Sequence, residues 1–220
     1  EIKIKMNNIY LNVSTSIKFL GIVLDDKLTF NDHRIFVCNK ISKNIGILCK
    51  LRIILPEKQL FMLYNSLIIP YIQYCAITWA SVGITKLECI HKLQKKALRI
   101  CTNSPYLAPS RPIFSRLKTL TIYDIHEFQI ATLMYYVKHN LAPTNVLSFF
   151  QYNKNIYQYN TRSHTKFHYP VVASQSILNS VKHSGPRIWN HLSNDITSCS
   201  NITSFKVKLK RLLINAYTDN

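Results

Sequence analysis

At 220 residues, with 47% hydrophobic and 11% aromatic side chains, the chain has ample material for a buried core and is unlike a disordered tail. Its 28 Lys and Arg against 10 Asp and Glu leave a formal net charge of +18, which makes a polyanion the natural partner. A bilayer span is disfavoured: the best apolar run, residues 67–82, is shorter than the roughly 20 residues that cross a bilayer and contains Pro70 and Gln73, so no membrane partner is expected.

The opening alternates with period two over residues 2–6 and again over 9–13, with turn chemistry at Asn7-Asn8, which predicts a β-hairpin. Residues 17–24 are apolar and β-branched and predict a third strand completing a small antiparallel sheet. Starting at Glu1 inside a strand-like pattern, with no signal peptide, the chain reads as part of a longer one.

From Asn31 the period becomes helical. Ile35, Cys38, Ile41, Ile45, Leu48 and Cys49 recur at three and four, with Arg34, Lys40, Lys43 and Lys50 on the other side. Pro56 opens a second helix with Leu60, Phe61, Leu63, Tyr64, Leu67 and Ile68 apolar, interrupted at Pro70; residues 71–79 are expected to be the deepest part of the core. A third helix runs from about residue 85 to 101, with Leu87, Ile90, Leu93, Ala97, Leu98 and Cys101 on one face and Lys86, Lys92, Lys95, Lys96 and Arg99 on the others. Pro105, Pro109 and Pro112 mark a connection, and Thr121 with Asp124 resembles a capping box at the start of a helix reaching about residue 139. Between Glu127 and Asp195 there is no acid, while Lys138, Lys154, Arg162, Lys166, Lys182 and Arg187 are interleaved with Tyr152, Tyr157, Tyr159, Phe167 and Tyr169, which predicts a loop-rich, basic segment. A helix over residues 204–216 closes the chain, setting Phe205, Leu209, Leu212 and Leu213 against Lys206, Lys208, Lys210 and Arg211.

Candidate chemistry is sparse. The six cysteines form no CxxC and read as reduced core thiols of an intracellular protein, nuclear or cytoplasmic. Asp25-Asp26 is the one adjacent carboxylate pair, but it lacks the aromatic and spacer that precede a polymerase Asp pair, so it reads as a strand end or helix-entry turn. His164 and His168 have no nearby carboxylate or thiolate to complete a ligand set, and no nucleophile elbow or glycine-rich phosphate loop is present. No catalytic or metal-binding residue is assigned. A single charged helix face is ordinarily solvated surface; the recurrence over three helices and an acid-free stretch points instead to phosphate tracking. The residues expected to bind nucleic acid are Lys92, Lys95, Lys96, Arg99, Arg162, Arg187, Lys206, Lys208, Lys210 and Arg211.

Ile17-Lys18-Phe19-Leu20-Gly21-Ile22-Val23-Leu24-Asp25, then Leu28-Thr29-Phe30 and the helix containing residues 41–48, resemble the region just after the active site in Jockey- and CR1-like non-LTR retrotransposon reverse transcriptases. Residues 63–71, 74–79, 93–100, 159–162 and 185–190 resemble that family's downstream blocks in order. The resemblance implies an RNA-directed DNA polymerase fragment: residues 1–30 as the end of a palm, 31–104 as a helical thumb and 105–220 as a basic extension. It also implies a primer-grip-like role for Phe19, Leu20 and Gly21, and a template–primer duplex as partner alongside the parent's palm and fingers. The Tyr or Phe-x-Asp-Asp motif is not in these 220 residues. The chain is therefore expected to lack polymerase activity alone and to hold no cofactor, magnesium belonging to the palm. The expected class is α+β, a short antiparallel sheet followed by helices. Two other readings stand beside it, a standalone RNA- or DNA-binding protein derived from such an element and a protein-interaction or structural remnant.

Overall fold

The computed structural model describes residues 5–7, 9–10, 14–157, 162–169, 171–172 and 174–218. They form an α+β molecule in which two small antiparallel ribbons precede a predominantly helical body. One ribbon pairs β1 (Lys5–Met6) with β2 (Ile9–Tyr10); residues 2–4 and 11–13 of the expected hairpin lie outside the described residues. The other pairs β3 (Ser16–Phe19) with β4 (Ile22–Asp25). The expectation of one continuous third strand is thus corrected: the chain reverses at Leu20 and Gly21 and the two ribbons are separate. Both turn residues have positive φ, 46° and 84°, as a two-residue type I′ loop requires. Leucine is a rare occupant of that region, which is why the apolar run concealed the turn.

Contacts from distant helices fix this hairpin. The Tyr74 hydroxyl donates to the Leu20 carbonyl at 2.6 Å, and a Cβ on Gly21 would lie 3.3 Å from the Tyr74 ring. His33 Nδ1 accepts the Val23 N–H at 3.3 Å while its ring meets Trp79 edge-on, with centroids 5.3 Å apart. His33 belongs to α1 (Asn31–Leu51), and this contact rotates the buried stripe. His33 and Val37 join Ile41, Ile45 and Leu48 inside, whereas Ile35, expected in the core, is 55% exposed.

Helix α2 (Glu57–Leu67) buries Leu60 and Tyr64. The chain breaks at Ile68, so Pro70 falls in the first turn of α3 (Ile69–Gln73), where its missing N–H has no helical partner to lose. α4 (Ala76–Trp79) follows, with a 3-10 turn over Ala80–Val82. The expectation that 71–79 is the deepest part of the core is corrected: Ile72, Ala76 and Trp79 are fully buried, but Gln73, Tyr74 and Thr78 are exposed, because two short helices each bury only one face and Tyr74 turns outward to the hairpin. Among the described residues no single helix is long and apolar enough to cross a membrane; the bent pair Glu57–Gln73 and Ala76–Val82, 49° apart, passes on length and composition only.

α5 (Ile84–Cys101) packs on α1 and α2. Its fully buried Gln94 donates to the Tyr64 hydroxyl at 3.0 Å and the Leu120 carbonyl at 2.8 Å, and accepts the Ile122 N–H at 3.0 Å. The expected connection after Pro105 contains a further helix, α6 (Ser110–Arg116), with Pro112 in its first turn. α7 (Ile122–Lys138) is the central element, packing against α3, α4 and α5 on one side. Its capping box is completed from far away. Thr121 Oγ1 accepts the Asp124 N–H, but aspartate is one methylene short of reaching back, and the Tyr217 hydroxyl bridges the gap by accepting the Thr121 N–H and donating to Asp124.

The second half adds α8 (Thr144–Leu147), α9 (Gln175–Asn179), α10 (Val181–His191), α11 (Asn194–Thr197) and α12 (Ile202–Asn215), of which α10 and α12 cover α7. The loop-rich expectation is corrected at α10, which runs straight through Gly185 and Pro186. Glycine lets the two helices approach closely there: a Cβ would sit 2.8 Å from Met134 Sδ of α7 and would force that side chain to shift. The aromatic rings of this segment are also partly structural: Tyr152 stacks on Phe167 at 4.4 Å, and Phe167 is buried edge-on to Phe150 and Trp189.

Candidate nucleic-acid interface

Among the described residues only two ion pairs form, Lys95–Glu88 at 3.9 Å and Arg116–Glu57 at 2.9 Å. Most of the positive charge is therefore not neutralised by carboxylates, and its placement decides what it does.

On α5 the inward face of Leu87, Ile90, Gln94 and Ala97 carries Lys92 and Lys96 to the exposed side. Lys95 is half-buried against Glu88, whose carboxyl is held below its ordinary value by the Tyr123 hydroxyl and then by Lys95. Arg99 donates Nε to the Ala108 carbonyl at 2.9 Å and ties the helix end to the following connection. Two of the four expected α5 contacts, Lys92 and Lys96, thus remain open to solvent.

A second cationic surface lies between α6 and α12. Lys118, Lys210 and Arg211 line a cleft of about 490 Å³ with Ser115 and Asn215, over Val207 and Ile214, and no carboxylate lines it. Lys118 was not singled out from the sequence; the basic cluster Arg111, Arg116 and Lys118 was its available signal. α6 packs against both α5 and α12, so the same short helix adjoins both cationic elements.

The four expected cations of α12 do not share one face. Lys206 lines a crevice with Phe128, Thr132 and Tyr136 of α7, and Lys208 donates to the Asp195 carbonyl at 2.9 Å, leaving Lys210 and Arg211 for the cleft. Arg162 is exposed on a surface turn and does not line the cleft; residues 159–161 beside it lie outside the described residues. Arg187 lines a different cavity, about 440 Å³, between the 80–82 turn, α7 and α10. It faces Glu127, whose carboxyl is pushed up by burial and pulled back by Arg187.

That cavity also contains Ser81 and His126, 3.2 Å apart. Ser81 Oγ also donates to the Ile77 carbonyl at 3.0 Å, a bond within its own helical turn. Burial pulls the His126 imidazole down to about 4. Asp25 Oδ1 accepts the Thr29 N–H at 2.8 Å, which lowers the carboxyl's pKa and caps the turn into α1, while Oδ2 is buried without a hydrogen-bond partner among the described residues. His168 Nδ1 lies 3.1 Å from Asn153 Oδ1. Among the described residues no three His, Cys, Asp or Glu side chains cluster to hold a metal ion.

Phe19, Leu20 and Gly21 form the tip of the second hairpin, with Phe19 59% and Leu20 74% exposed and the backbone clamped by Tyr74. The tip is apolar and outward-facing on a fixed support. Comparison with protein-family models, curated proteins and solved structures finds no match to this chain.

Proposed function

We propose that the chain grips a nucleic-acid duplex through sequence-independent phosphate contacts, as the thumb and following extension of a Jockey- or CR1-like reverse transcriptase would hold template and primer. The observation that carries this reading is the cationic surface left without carboxylate partners: Lys92 and Lys96 on α5, and Lys118, Lys210 and Arg211 in the α6–α12 cleft. Lysine and arginine side chains on rigid helices meet a phosphate backbone without reading bases, so affinity follows charge and not sequence. The exposed apolar hairpin tip suits the primer-end support that the family resemblance assigns to Phe19, Leu20 and Gly21. Polymerisation would need carboxylates for two magnesium ions, which belong to the palm and are not among these residues.

The test is binding of the chain to unrelated RNA–DNA and DNA duplexes of equal length, followed by fluorescence anisotropy at 50 mM and 200 mM salt. Affinities that agree within about threefold across sequences and fall at least tenfold with salt are expected. Absence of binding at low salt, or discrimination of one sequence by a hundredfold, contradicts the reading.

A further inference from the structure

Helices α1 and α5 lie side by side, and at their contact Cys38 and Cys89 bring their sulfurs to 3.3 Å across 51 positions of sequence. We propose that this pair is an oxidative modification site, at which a peroxide converts the two thiols into a disulfide that staples α1 to α5. The inference is independent of what the basic surface binds.

The surroundings assign the two cysteines different parts. Cys89 is exposed, the most accessible of the six free thiols, whereas Cys101 and Cys199 are buried and donate to the Leu60 and Asp195 carbonyls. A small oxidant from solvent therefore meets Cys89 first. Cys38 is half-buried behind it, and burial, followed by its bond to Cys89, pushes its thiol up to about 12. It is a poor first attacker but stands in position to resolve the product. Arg34 offsets part of that shift, and its guanidinium donates at 3.2 Å to the Lys86 carbonyl, to which Cys89 also donates, at 3.7 Å. One backbone carbonyl and one guanidinium thus frame both sulfurs.

In the first step the Cys89 thiolate attacks a peroxide oxygen. The O–O bond breaks, Cys89 becomes a sulfenic acid, and the leaving hydroxide takes up the thiol's proton as water. In the second step the Cys38 sulfur attacks the sulfenic sulfur, the S–O bond breaks, and the displaced hydroxide leaves as water with the Cys38 proton. Two thiols lose two electrons in total and one peroxide is reduced to two waters. The sulfurs must close from 3.3 Å to about 2.05 Å, a side-chain adjustment between helices already in contact.

The experiment exposes the full chain to increasing hydrogen peroxide, quenches with N-ethylmaleimide, and combines thiol titration with peptide mass spectrometry and thermal melting. Two of the six thiols should disappear together, a Cys38–Cys89 linked peptide should be recovered, dithiothreitol should restore both, and Tm should rise by on the order of 10 °C. In Cys38→Ser, dimedone should label Cys89 and the linked peptide should vanish. Oxidation of other cysteines while Cys38 and Cys89 both remain alkylatable overturns the proposal, as do links between chains without the intramolecular peptide. Mapping on the unaltered protein decides the matter even if the variant does not fold.

Discussion

The helices before residue 102 and those after residue 110 use their positive charge differently. In α5 the apolar stripe turns inward and Lys92 and Lys96 are left to solvent. In the second half, which contains no acid between Glu127 and Asp195, several cations complete the backbone instead. Lys138 donates to the Thr197 carbonyl at the end of α11 and lies 5.7 Å from the Trp189 ring centre; Lys208 donates to the Asp195 carbonyl; Lys154 sits 5.5 Å over Tyr152. Where carboxylates are absent, helix-end carbonyls and ring faces act as acceptors for lysine. Lack of acids therefore does not equal free charge, and a cation count overstates what the second half offers to a polyanion.

The largest expected effect comes from the residue that joins the halves. Gln94→Leu removes three hydrogen bonds and leaves the Leu120 carbonyl and Ile122 N–H buried without partners, a loss of about 4 kcal/mol in stability measured by urea unfolding. Retained stability in that variant would show the two halves to be held by apolar contact alone.

Acid should loosen the same junction. His126 has a folded pKa of about 4 against 6.5 for the free imidazole, so between those values the unfolded chain binds the proton and the folded chain does not. Its contribution, about 3 kcal/mol, is complete above pH 6.5 and is lost as pH falls toward 4. His33 and His91, also lowered by burial, act in the same direction. Urea midpoints should fall between pH 7 and pH 4.5, and less steeply in His126→Gln; parallel slopes in both proteins would contradict the assignment.

A smaller effect separates structural from open cations. Lys138→Met should lower stability by about 1 kcal/mol through loss of the bond to Thr197, with duplex affinity unchanged. Lys96→Ala should do the opposite, weakening duplex binding with stability within about 0.5 kcal/mol.

Much of this division was legible in the sequence and part was not, for a physical reason. The three-and-four spacing located α1, α2, α5, α7 and α12 and identified Ile41, Ile45, Leu48, Leu60 and Tyr64 as core, because a helix buries one face whatever it packs on. The readings that failed depend on remote partners. The Leu20-Gly21 turn rests on Tyr74 and the shifted face of α1 on Trp79, while Gly185, which reads as a helix breaker, is where α10 passes close to Met134 of α7. The same holds for the site. Lys92 and Lys96 were readable as an outer face, but separating Lys210 and Arg211 from Lys208 required knowing that α11 presents a carbonyl to one and α6 a cleft to the others.

The most direct test is the salt dependence of duplex affinity in two variants of equal charge change. With Lys92, Lys96, Lys210 and Arg211 all replaced by Ala, the slope of log K against log salt should flatten by about 3 to 4. With Lys138, Lys154, Lys208 and Lys40, which lies 5.5 Å over the Phe36 ring, replaced by Met, it should stay close to that of the unaltered chain. Equal flattening in both would mean that net charge alone attracts the polyanion and that the α5 face and the α6–α12 cleft are not the interface.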